Sequence, residues 1–150
     1  MRSSVECGRH CRRSGNVRGM SDAVAVVRTF LDLLASGRAA EAVEMLTEDT
    51  EWRNTGLPTL RGRRVRRTLL DMERRKVRFW AEMHAVAADG EAVLTDRTDF
   101  LGLGRWVSSF PVQGTFTVRD GKIAVWDDHY AMGQVFAGSV RGLVSLVRGR

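Results

Sequence analysis

Between Val77 and Tyr130 the chain repeats one pattern: runs of alternating apolar and polar side chains, punctuated by Asp89-Gly90 and Asp120-Gly121. Alternation with period two is the signature of a half-buried strand, and Asp-Gly accepts the positive φ angles of a tight hairpin turn. The pattern predicts strands over Val77 to Ala88, Glu91 to Leu103, Trp106 to Val118 and Lys122 to Tyr130, in an antiparallel meander. Such a sheet has one apolar face, and that face needs a covering layer.

The cover is encoded upstream. Ser21 or Asp22 can cap a helix running to about Ser36, in which Val24, Val27, Leu31 and Leu34 recur at spacings of three and four, and Gly37 ends it. A short helix is expected over about Ala39 to Leu46, an extended segment over TEDTEWRN towards the turn-prone Gly56 and Pro58, and a third helix from about Arg63 to Arg75. A last amphipathic helix, about Gly133 to Val147, carries Val135, Phe136, Val140, Leu143, Val144 and Val147. Helices first and a meander afterwards make one α+β domain over residues 20–150, with three to four helices on one face of a bent sheet and a pocket between the layers.

The net charge of +6 raises the question of nucleic acid, but it is unevenly spread. Residues 1–19 hold five arginines against Glu6, which leaves 19 basic and 17 acidic residues for the body. The third helix contains Arg63, Arg64, Arg66, Arg67, Arg74 and Arg75, interleaved with Val65, Leu69, Leu70 and Met72. That is the pattern of a solvated helix face with an apolar side, and no nucleic-acid fold signature accompanies it. The skew of 22 arginines to two lysines reflects a GC-rich genome more than guanidinium chemistry.

Cys7 and Cys11 flank His10 in the opening CGRHC, which does not complete a tetrahedral metal site, and no other cysteine follows. Residues 1–19 lack the apolar core of a signal peptide, and no apolar run approaches the ~20 residues needed to span a bilayer. A water-soluble cytoplasmic enzyme is expected, preceded by a disordered leader over 1–19 that Met20 suggests is an upstream extension. Nothing suggests a metal, nucleotide or flavin, so no cofactor is expected.

Alternation places Val93, Thr95, Arg97, Asp99 and Leu101 on one strand face, and Ala124, Trp126, Asp128 and Tyr130 on another, with the Trp106 to Val118 strand between them. Two carboxylates and one guanidinium can then converge. A lone Arg and Asp pair is an ordinary salt bridge, but a second buried carboxylate leaves an uncompensated charge unless a proton is retained. A protonated acid beside an ionised one is how general acid and general base are separated. In EDTEWRN, Trp52 and Asn54 also share a face, and Asn54 can both donate to and accept from a water. Asp127 and Asp128 are equally suited to act as base on chemistry alone.

Taken together, EDTEWRN, LTDRTDFL and GTFTVRDGKIAVWDDHY resemble limonene-1,2-epoxide hydrolase and its bacterial relatives, within the nuclear-transport-factor-2-like superfamily. The resemblance extends weakly through FLDLLASGR and the last helix, covering about residues 22 to 148. It implies a cone-shaped fold, homodimerisation through the open sheet face, and cofactor-free hydrolysis of a lipophilic epoxide to a vicinal diol. In that scheme Asp128, two after Trp126, is the base, Asp99 the acid, and Arg97 the bridge, with Asn54 and Trp52 positioning water. Leu101, Tyr130, Met83, Phe116 and Phe136 are the expected apolar liners. Trp52 departs from the family's tyrosine and offers only a donor, and Asp127 and His129 place polarity on the opposite face. The alternatives on the same fold are an epoxide-opening cyclase of polyether type, a proton-shifting isomerase, and a non-catalytic binding or dimerisation module.

Overall fold

The expected alternation is realised as a six-stranded mixed sheet with helices on one face. The computed structural model describes residues 14–131, 133–135 and 139. The CGRHC segment and most of the expected last helix, Phe136 included, lie outside these residues; Gly133–Val135 and Ser139 are helical.

Helix α1 spans Ser14–Ala35, starting seven residues before the Ser21 cap read from sequence. No proline in this stretch stops the helix from propagating backwards. Its buried stripe is Ala23, Val27, Phe30 and Leu31. Helix α2 (Ala39–Glu44) follows the turn at Gly37, whose φ of 66° favours glycine. Helix α3 (Arg63–Arg74) buries Val65 and Leu69 and leaves most of its arginines exposed, as a solvated face should be. Arg66 turns inward instead, donating to the carbonyls of Val43, Leu46 and Thr47 at 2.7, 2.9 and 3.1 Å. It satisfies the open Val43 carbonyl at the end of α2 and two carbonyls of the segment that follows.

The strands are β1 (Leu46–Asn54), β2 (Leu60–Arg61), β3 (Val77–Asp89), β4 (Ala92–Leu103), β5 (Trp106–Arg119) and β6 (Lys122–His129). Their spatial order is β2-β1-β6-β5-β4-β3. Strands β3 to β6 form the antiparallel meander, and Asp120 and Gly121 take positive φ angles of 51° and 73° at its last turn. Strand β1 then pairs parallel with β6, setting Trp52 beside Trp126 and Asn54 beside Asp128. Register shifts interrupt the β1/β6, β3/β4 and β5/β6 pairings, and such bulges bend the strands around the helical layer.

The core lies between α1 and the inward sheet face, where Val27, Phe30, Leu46, Val93, Phe116 and Ile123 are almost wholly buried. Trp126 stands at its centre. It stacks on Trp52 with centroids 4.5 Å apart and meets Phe30 edge-on at 5.2 Å. No helix among the described residues is long and apolar enough to cross a membrane.

Candidate active site

Pairing across β4, β5 and β6 brings the sequence-predicted trio together. Asp99 faces Phe110, Arg97 faces Val112, and Gly114 lies between Thr95 and Asp128. From β4, Arg97 reaches across β5 to β6. Its Nε and Nη2 donate to the two oxygens of Asp99 at 2.7 and 3.1 Å, and Nη2 also donates to Asp128 Oδ1 at 2.7 Å. Nη1 donates to Thr95 Oγ1 at 2.9 Å. Arg97 is 0% exposed, and Asp99 and Asp128 are only 4% and 3% exposed.

Burial works against the charge of Arg97, but two carboxylates more than offset it and hold the guanidinium above its usual value. Burial raises Asp99, opposed by hydrogen bonding and charge from Arg97. Asp128 is pushed up to about 6, chiefly by burial, against the pull of Arg97 and with a further push from Asp99. Asp99 takes the bidentate contact with Arg97 and Asp128 a single one. The two titrate as one system, because one guanidinium contacts both.

A cavity of about 1010 Å³ opens beside this trio. Its walls are mainly apolar, with Leu34, Leu69, Phe79, Leu101, Phe110 and Trp126 among them, while Asn54, Asp99, Asp128 and Tyr130 supply polar groups. Arg97 is absent from the lining and stands behind the carboxylates. The Tyr130 hydroxyl donates to Asn54 Oδ1 at 3.4 Å, which leaves the Asn54 amide hydrogens for another acceptor. Burial and the Asp128 charge raise Tyr130 above the ordinary phenol value. Trp52 lines the cavity, and its buried indole N–H has no partner among the described residues.

Of the apolar liners read from sequence, Leu101 and Tyr130 face the cavity and Met83 and Phe116 do not. Phe116 is fully buried behind the site, 6.0 Å from Trp126 and 5.6 Å from the Arg97 guanidinium, and Met83 packs against the core. Alternation selects a face, and one face holds both core and cavity positions. Phe110 and Gly114 were missed, although they share the inward face of β5 with Phe116. Asp127 and His129 point to the other face, 3.5 Å apart.

A buried guanidinium between two carboxylates thus stands at the polar side of an apolar cavity, where groups of shifted pKa mark a candidate reaction site. Residues 21–141 match the family model of the limonene-1,2-epoxide hydrolase catalytic domain. The chain belongs to the limonene-1,2-epoxide hydrolase family. Within it, epoxide hydrolase EphG of Mycobacterium tuberculosis is 39% identical over 121 residues, 81% of each chain. The structure of a limonene-1,2-epoxide-hydrolase-like epoxide hydrolase from M. tuberculosis superposes with a TM-score of 0.83 at 37% identity, covering 87% of this chain and 98% of that one. An NTF2-like protein of Burkholderia xenovorans LB400 shares the fold at 19% identity, with a TM-score of 0.65 over 80% of this chain and 97% of its own. This family member thus has the α+β, nuclear-transport-factor-2-like architecture expected from its motifs.

Proposed function

We propose that residues 20–150 form a catalytic domain that adds water to a lipophilic epoxide, giving a vicinal diol in one step without a covalent intermediate. The observation that carries this reading is the wholly buried Arg97 held between Asp99 and Asp128 beside an apolar cavity. Together the three groups are negative unless they retain a proton, and burial favours retaining it.

In the reactive microstate that proton lies on Asp99, where the epoxide oxygen offers it an acceptor. Ionised Asp128 removes a proton from a water that Asn54 also holds, and the water oxygen attacks an epoxide carbon. The C–O bond breaks as Asp99 protonates the departing oxygen. Asp128 gains the proton that Asp99 loses, so the total charge of the pair is unchanged, and return of the proton to Asp99 completes the cycle. Arg97 does not touch substrate; it steadies whichever carboxylate is charged. Trp52 lines the cavity wall with its indole N–H buried away from the water, and Leu101 and Tyr130 flank the substrate.

Turnover of a panel of lipophilic epoxides in ¹⁸O water, with wild type beside Asp128→Asn, tests the reading. Labelled diol from the wild type alone supports it. An unlabelled cyclic ether from a hydroxy-epoxide replaces it with internal attack, as in a cyclase, and saturable binding without product replaces it with a binding module.

We also propose a homodimer through the open sheet face, supported by exposed Leu94 and the stacked Trp80 and Phe100 pair, whose β4 members lie opposite the Arg97 face. Light scattering at micromolar concentration checks it, and a monomer refutes it.

A further inference from the structure

Arg97 starts on β4 and makes its last contact on β6, so its head must pass over β5. Position 114 is the crossing point, opposite Thr95 on one side and Asp128 on the other. A Cβ there would overlap Arg97 Nη1 and lie 2.7 Å from Thr95 Oγ1 and 3.0 Å from Asp128 Oδ1. Gly114 is not among the glycines with positive φ, so here the demand for glycine is one of space and not of backbone conformation.

Thr95 completes the seat. Its hydroxyl donates to the Gly114 carbonyl at 3.2 Å and accepts from Arg97 Nη1 at 2.9 Å. With its only proton committed to a carbonyl, the oxygen presents a lone pair to the guanidinium. Phe116, two residues along β5, faces the guanidinium carbon at 5.6 Å.

We propose that Gly114 and Thr95 are positioning residues: an empty slot and a fixed acceptor that hold Arg97 against both carboxylates at once, and thereby decide how Asp99 and Asp128 share their proton. The inference rests on reading those two carboxylates as the acid and base pair. Removing the Thr95 acceptor leaves a buried N–H that must seek a carboxylate, and filling the slot moves the guanidinium away from Asp128. Either change redistributes charge between the two acids without touching substrate.

The test is a ¹³C NMR titration of the Asp99 and Asp128 carboxyl groups in the full chain, without substrate, for wild type, Thr95→Ser, Thr95→Val and Gly114→Ala. Turnover of an epoxide accepted by the wild type is followed in parallel. Thr95→Ser is expected to titrate like wild type. Thr95→Val, which keeps the shape but cannot accept, should move at least one carboxyl titration by about half a pH unit or more and lower kcat roughly tenfold, with KM little changed. Gly114→Ala should move the Asp128 titration upward. Wild-type titrations in Thr95→Val overturn the proposal, and the threonine pair decides the matter if Gly114→Ala does not fold. Because the titration needs no substrate, a wild type that turns over no epoxide defeats the hydrolase reading alone.

Discussion

Asn54 lies directly beside Asp128 where β1 runs parallel to β6, and the N–H of the next residue, Thr55, donates to the Asp128 carbonyl at 3.1 Å. The amide and the carboxylate are thus carried by neighbouring backbones, not by a loop, which suits the proposal that the two hold one water. Asp128→Asn should lower kcat by ~10² to 10⁴, as loss of a general base does. Asn54→Ala should lower it about tenfold, the value of one polar contact. Steady-state kinetics on folded variants checks the ranking; equal losses for the two would contradict the division between base and water holder.

Activity should follow a bell-shaped pH profile, because only the singly protonated pair has both an acid and a base. With Asp128 at about 6, the alkaline limb of kcat/KM, which reports on the free enzyme, should begin near that value. A bound lipophilic substrate displaces water and desolvates both carboxylates further, which raises their pKa values. The alkaline limb of kcat should therefore lie at higher pH than that of kcat/KM. Superimposable limbs would show that substrate does not dry the site.

Stability carries its own pH signature. The native state holds Asp128 above its ordinary value of 3.8, at about 6, so between these pH values it keeps a proton that the unfolded chain releases. The contribution is present in full below 3.8 and is lost as pH rises through about 6. Urea midpoints of the wild type should decline across that window relative to Asp128→Asn, in which the group does not titrate. A rising difference would reverse the sign of the effect.

Arg97→Leu removes the shared counter-charge of two buried acids. A loss of about 3–5 kcal/mol is expected near neutral pH, because the partners are left uncompensated. The loss should shrink in acid, where both carboxylates are protonated. Arg97→Lys should recover little, since an ammonium lacks the planar fork that meets Asp99, Asp128 and Thr95 together. Chemical denaturation at two pH values reads both effects.

Arg66 predicts a purely structural effect. Arg66→Met leaves three carbonyls around the α2 and β1 junction without their charged donor and should cost roughly 2 kcal/mol, with turnover per folded molecule unchanged. The same change at exposed Arg63, Arg64 or Arg67 should cost less than about 0.5 kcal/mol.

The convergence of Arg97, Asp99 and Asp128 was legible in the sequence because period-two alternation and two hairpin turns fix both face and neighbours. What alternation does not encode is depth: Phe116 and Leu101 share an inward orientation, yet one is core and the other cavity wall. Nor does it place β1, whose parallel seat beside β6 depends on long-range packing of Leu46 and Trp52. The two-residue β2 is too short to carry a periodic signal. The start of α1 was misjudged because a good cap at Ser21 or Asp22 does not forbid helix before it.

The guanidinium lying across β5 also acts as a lock on strand alignment. A one-residue slip of β5 would turn its core face to solvent, an error that hydrophobicity alone rejects. A two-residue slip keeps the same face inward and is much harder to reject, yet it would bring Val112 or Phe116 to the place of Gly114, into volume the Arg97 head already fills. The buried charge would then lose its partners and be stranded in the core. Chains that pair β4, β5 and β6 wrongly are thus denied a stable core by the same side chain that joins the two carboxylates, and strand alignment is checked at the wall of the cavity.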